Sequence, residues 1–154
     1  EFRTFFHGHT YTGNPLACAA GLANLEIFAR ERTLERLPRK IDLLAAALEE
    51  HVAPLAAVRE IRRCGLMVGI ELAGFPLEAR MGHRVVLAAR RRGAMIRPLG
   101  DVIVLMPPLA MSEAELLALV RATAEAIADA TIPAAASPLP APLGAGDPRR
   151  RAAA

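Results

Sequence analysis

The chain has no tryptophan, one tyrosine, two cysteines and a single lysine among its 154 residues. Each scarcity excludes something. Aromatic residues make up 4% and do not interleave with basic ones, so no stacking platform for nucleic acid is present. The net charge of +3 does not change that reading. Arg90 to Arg92 close a predicted helix, where cations suit the C-terminal dipole, and Arg149 to Arg151 lie in a ragged tail. No apolar run approaches the roughly 20 residues that cross a bilayer, and the opening residues lack the basic and apolar segments of a secretory signal. Cys18 and Cys64 have no C-x-x-C spacing, so they are expected as buried free thiols in a reducing, cytoplasmic setting. A metal site is not expected. His7 and His9 can share a strand face, but His51 and His83 fall on separate predicted helices with no nearby cysteine or carboxylate to complete a tetrahedral set. Ser112 reads as a helix cap and Ser137 as tail, which removes a serine triad.

What is present is a core-sized apolar fraction, 53%, laid out in periodic patterns. Residues from Asn14 to about Arg32 read as a helix rich in small side chains. Thr33 is expected to cap a second helix. Its apolar stripe runs Leu34, Leu37, Ile41, Leu44, Leu48, Val52, Leu55, and Pro38 in its early turns allows a later start. Arg59 to Arg63 is a candidate strand. Leu66, Val68, Ile70 and Leu72 then alternate with Met67, Gly69 and Glu71, the period of a strand with one buried face and a solvated Glu71. Gly74 and Pro76 break it, and Leu77 to Arg92 reads as a helix with Met81, Val85 and Ala88 or Ala89 inward and Gly93 at C′. Ala94 to Arg97 and Val102 to Met106 read as strands joined by a Pro98-Leu99-Gly100-Asp101 turn. Ser112 and Glu115 spell a capping box for a last helix to about Ile132, with Leu116, Val120, Ala124 and Ile127 inward. From Pro133 the composition turns Ala/Pro/Gly-rich and then basic, which predicts a disordered tail. The sum is an α+β arrangement: a short antiparallel sheet covered by helices.

The most informative stretch is HGHTYTGNPLACAAGLANLEIF, from His7 to Phe28. Asn14 is a good N-cap and Pro15 suits the first helical position, where its missing N–H costs nothing. Gly8 and Gly13 allow sharp turns, and Thr10, Tyr11 and Thr12 carry three hydroxyls ahead of a helix N-terminus, a place that can hold an anion such as phosphate. Taken alone, the spacing is better read as a plain capped helix start. The whole string, however, closely resembles a motif of the class III aminotransferases, which use pyridoxal 5′-phosphate (PLP). A second run, GAMIRPLGDVIVLMPPLAMSEAEL from Gly93 to Leu116, resembles the C-terminal region of the family's biotin-pathway branch, and CGLMVGIEL, from Cys64 to Leu72, resembles a short strand found across the class. The resemblance covers about Glu1 to Ile132.

It implies an intact homodimeric transaminase of fold type I, with the cofactor site shared across the interface. That enzyme moves an amino group from S-adenosylmethionine to 7-keto-8-aminopelargonate. Residues 1–32 would end the large domain and supply an interdomain helix, residues 33–132 would form the C-terminal small domain, and residues 133–154 the tail. Thr10 matches the family threonine that binds the PLP phosphate across the dimer interface, with His9 beside it. Gly8 matches a position whose backbone lies next to the substrate. Arg97 matches the arginine that binds the keto acid's carboxylate. The plainer readings stay open: Thr10 and Thr12 can merely satisfy loop backbone groups, and Arg97 can reach solvent at a hairpin edge or pair with Asp101. The family's Schiff-base lysine lies upstream of the motif. Lys40, in Arg39-Lys40-Ile41 early in an amphipathic helix, reads as a solvated surface residue, so this chain contributes no catalytic lysine and is expected to be inactive by itself. Beginning in mid-pattern at Glu1, it reads as a fragment of something longer. The other readings are a class III enzyme acting on an ω-amino acid or 4-aminobutyrate, or a non-catalytic α+β dimerisation module.

Overall fold

A computed structural model describes Arg3, His7, Gly8, Thr10 and residues 12–132. His9 and the tail expected from Pro133 lie outside the described residues. Among the described residues four helices, α1 (Pro15–Arg30), α2 (Thr33–His51), α3 (Met81–Arg91) and α4 (Glu113–Thr131), accompany four strands, β1 (Val58–Cys64), β2 (Met67–Leu72), β3 (Arg97–Leu99) and β4 (Val102–Leu105). All pairings are antiparallel, in the order β1-β2-β4-β3. This is the α+β layer expected.

Alternation decides the layers. Val68, Ile70 and Leu72 of β2 and Ile103 and Leu105 of β4 point to one face of the sheet, where Leu44 and Leu48 of α2, Val85 and Ala89 of α3, and Leu116, Val120 and Ile127 of α4 cover them. Each of those side chains is 5% exposed or less. The inward sets anticipated for α3 and α4 are therefore the ones buried. The α2 stripe holds from Leu37 to Leu55, but Leu34 remains 65% exposed. Among the described residues no helix covers the opposite sheet face, and directly opposed residues share it: Arg62 faces Gly69, Gly69 faces Val104, and Val104 faces Arg97.

Local chemistry explains most boundaries. Asn14 Oδ1 accepts from the Ala17 N–H at 3.1 Å, with Pro15 at the first position of α1. The Ser112–Glu115 capping box is fully formed, Ser112 Oγ accepting from Glu115 N and Glu115 Oε2 accepting from Ser112 N at 2.8 Å. Four expectations need correction. Thr33 is the first residue of α2 and not its cap. The cap position is Arg32, held at φ 50° beside Glu35, and Pro38 sits inside the helix without delaying its start. The expected Leu77–Arg92 helix breaks into a short turn, Leu77–Ala79, and α3, because Arg80 adopts φ 47° between them. The strand expected over Ala94 to Arg97 lies instead at Arg97–Leu99, so the β3–β4 turn is tighter than Pro98–Asp101: Leu99 pairs with Val102, leaving Gly100 and Asp101 as the turn. Cys18 and Cys64 are both exposed, since α1 buries none of its residues and β1 is an edge strand with only Val58 and Ile61 partly covered.

Gly82, at the start of α3, meets the β3–β4 turn at very close range. Its N–H donates to Asp101 Oδ1 at 3.1 Å, and a Cβ at this position would stand 2.1 Å from Gly100 O. Leu72 N donates to Asp101 O at 3.0 Å, tying the same turn to β2. Gly82→Ala should therefore force the hairpin outward and destabilise the fold by about 1–3 kcal/mol, the usual range for overpacking, read by denaturant unfolding. A change under about 0.5 kcal/mol would show that the turn yields freely. A second prediction concerns pH. The hydrogen bonds from Ser112 hold the Glu115 carboxyl below the usual carboxylate range. A group with a depressed folded value stabilises above its unfolded value and loses that contribution as pH falls through the folded one. Stability should fall on acidification below the ordinary glutamate range, and Glu115→Gln should fall less steeply in acid titrations of the melting temperature. Parallel titrations of the two proteins would remove the capping box from the account.

Candidate functional site

A cleft of about 650 Å³ opens where β3 begins and β4 ends. That volume lies in the range of small-molecule sites. Met95, Met106, Pro107, Met111 and Leu119 give it mostly apolar walls, and Met95 and Met106 stand at its rim 86% and 67% exposed. Three charged side chains reach it: Arg92, Arg97 and Glu115.

Two of these are already engaged. Arg92 donates through Nε to Glu125 at 3.0 Å, bonds Asp129 through Nη2, and reaches Ala88 O through Nη1 at 3.3 Å. The hydrogen bonds to Asp129 and Glu125 raise its pKa above the already high arginine value. Glu115 spends its carboxylate on the capping box. Arg97 differs. Among the described residues no carboxylate or carbonyl pairs with its guanidinium, and the Asp101 partner considered for it is bonded to Gly82 instead. An arginine on a bare sheet face, beside apolar walls and with no partner, presents a planar fork of donors suited to a carboxylate.

Across the same face the Arg62 guanidinium is taken. It bonds Glu71 at 2.6 Å and Glu60, while Arg59 reaches Glu71 at 3.2 Å. The hydrogen bond from Arg62, aided by the Arg59 charge, outweighs partial desolvation and holds the Glu71 carboxyl below the usual range. Glu71 is thus a half-buried ion-pair partner and not the solvated residue expected. Alternation predicted its face, but the arginines of the neighbouring strand could be paired with it only once the register was known.

Gly8 and Thr10 lie exposed ahead of α1, and neither lines the Arg97 cleft. Lys40 overturns its expected role. It is half-buried, donating through Nζ to Leu109 O at 2.8 Å and Met111 O at 2.7 Å. Its ammonium is committed to backbone carbonyls, which leaves no amine among the described residues to link to a carbonyl cofactor. The residues do fit part of a phosphate site: the Thr10 hydroxyl is open, and it precedes a helix whose N-terminus is formed and capped. No cluster of metal-binding side chains occurs among the described residues.

Comparison with known proteins defines the class. The class III aminotransferase family model matches residues 1–127, and the chain belongs to that family. PLP is the family's cofactor. Among its relatives, the adenosylmethionine-8-amino-7-oxononanoate aminotransferase of Nitratidesulfovibrio vulgaris is 55% identical over 134 residues, covering 82% of this chain and 24% of that protein. The crystal structure of the enzyme of the same name from Methanocaldococcus jannaschii superposes with a TM-score of 0.76 at 40% identity, covering 84% of this chain and 31% of that one. An (S)-enantioselective omega-transaminase from Thermomicrobium roseum also gives a TM-score of 0.76, at 36% identity, with coverages of 84% and 30%. The chain thus spans about a quarter to a third of the length of the relatives it matches.

Proposed function

We propose that these residues form the C-terminal part of a PLP-dependent transaminase that carries an amino group from S-adenosylmethionine to 7-keto-8-aminopelargonate in biotin synthesis. The observation that carries the reading is Arg97, an unpaired guanidinium at an apolar cleft of about 650 Å³. Arg92 is paired with carboxylates and the Glu115 carboxylate is turned into the capping box, which leaves Arg97 as the group in the cleft able to receive an anionic group on an aliphatic chain. A keto acid with a carboxylate far from its reacting carbonyl carries such a group. The name carried by the Nitratidesulfovibrio vulgaris relative supports the same substrate.

In this reading residues 1–32 close the large domain and supply α1 as an interdomain helix, residues 33–132 are the small domain, and residues 133–154 are a tail. Thr10, with His9 beside it, holds the phosphate of PLP belonging to the other subunit of a cytoplasmic homodimer, and the Gly8 backbone borders the substrate. PLP, when bound, supplies the electron-withdrawing ring through which an amino group passes between donor and acceptor. Arg97 binds and orients the acceptor, and the methionine-lined walls strip water from its chain. The lysine that anchors the cofactor is not in this segment, so the segment alone does not transaminate. The omega-transaminase likeness favours a second reading, in which the acceptor or donor is another ω-amino or keto compound.

Arg97→Ala in the complete protein should raise KM for the keto acid about tenfold or more while moving the donor KM little, as expected for losing a charge-assisted pair of about 1.5–3 kcal/mol. An effect below about threefold would sink the carboxylate assignment. Thr10→Ala should weaken PLP retention, seen as faster loss of the bound cofactor's visible absorbance on dialysis. Unchanged retention would remove Thr10 from the phosphate site.

A further inference from the structure

The segment between β4 and α4 is held by packing more than by backbone hydrogen bonds: Pro107 is buried, and Leu109 and Met111 pack against the core. Pro107 and Pro108 carry no backbone N–H, and its one turn bond runs from Met111 N to Pro108 O at 3.0 Å. Yet Pro107, Pro108 and Met111 form a wall of the Arg97 cleft, while Pro108, Leu109 and Ala110 form a wall of a second cleft, about 450 Å³, against α1 and α2. A half-buried side chain hydrogen-bonds this partition to α2. From α2, Lys40 reaches Leu109 O and Met111 O, on either side of Ala110. Next to it Arg39 pairs with Glu113 at 2.9 Å, but its side chain is 80% exposed, and exposed pairs contribute little. The half-buried Lys40 contact is the stronger of the two.

We infer that Lys40 is a positioning residue for substrate selection: by gripping the Leu109 and Met111 carbonyls it holds the Pro107–Met111 wall in place, and so sets the width of the apolar channel leading to Arg97. The inference rests on the reading of the Arg97 cleft as the site for a carboxylate-tailed chain. Without the ammonium, two half-buried carbonyls turn to water, the partition loosens, and the channel loses its grip on the methylenes between the carboxylate and the reacting end. Chemistry at the reacting end, which Lys40 does not touch, is unchanged. The positive charge near Glu115 also favours the ionised capping box, so the same residue steadies the start of α4.

The test uses the complete enzyme with octanoate as a competitive probe of the channel, the keto-acid KM, and amide hydrogen exchange. Lys40→Met keeps the aliphatic stem and removes the donors. It should weaken octanoate and raise the keto-acid KM about fivefold or more, with kcat and the donor KM within about twofold, the signature of lost uniform binding. Exchange at the Met111 amide, which donates to Pro108 O, should quicken about tenfold, following the local opening equilibrium. Lys40→Arg, which still presents donors, should restore octanoate binding to within about twofold. The inference is overturned if octanoate affinity is unchanged in Lys40→Met, or if donor and acceptor constants rise together. Should Lys40→Met not fold, Lys40→Gln is read against the same two outcomes. Arg97→Ala run alongside separates the causes. If it leaves octanoate binding intact, the cleft reading itself fails; if it abolishes binding and Lys40→Met does not alter it, only the role of Lys40 fails.

Discussion

The architecture depends on one close approach, the contact of Gly82 with the Gly100–Asp101 turn. No side chain fits between α3 and the hairpin there, so the backbone of one element rests directly on the other. Asp101 makes the contact specific by accepting from the Gly82 N–H while its own carbonyl accepts from Leu72 N on β2. A three-residue edge strand such as β3 has little pairing of its own. Locked in this way at its turn, it can hold Arg97 at a fixed point of the bare sheet face.

Around that lock the charges divide by task. Arg62, Arg59, Glu60 and Glu71 neutralise one another at the β1 end of the open face, and Arg92 is shared by Glu125 and Asp129 between α3 and α4. Such exposed pairs add little stability individually. Their consequence is electrostatic contrast: Arg97 is left as the cation of the cleft without a partner among the described residues. Lys40, by its two backbone contacts, shapes the wall facing it.

Much of this was legible in the sequence because it is local or periodic. Asn14-Pro15, the Ser112–Glu115 box, the Val68-Ile70-Leu72 alternation and the α4 stripe announce elements whose causes lie within a few residues. What escaped depends on partners far along the chain. The break at Arg80 arises just before the Gly82 N–H, which is capped by Asp101, 19 residues downstream of Gly82. Lys40 read as solvated because its acceptors are backbone carbonyls 69 and 71 residues away, which no side-chain pattern reveals. Glu71 found Arg62 only through strand register. Cys18 looked buried by composition, but α1 buries nothing among the described residues. For the candidate site, Arg97 was singled out through the resemblance of the Gly93–Leu116 run, whereas the cleft beside it was not legible. His9 and Thr10 were legible only through resemblance to a family.

The account's central claim is that Arg97 makes this cleft a receptor for a carboxylate. The most direct measurement compares kcat/KM of the complete protein for the keto acid with that for its methyl ester, S-adenosylmethionine being the donor. Esterification should lower kcat/KM by about one to two orders of magnitude, the equivalent of a lost charge-assisted pair. Equal values for acid and ester would contradict the claim, since a site built around that guanidinium cannot ignore the charge it binds.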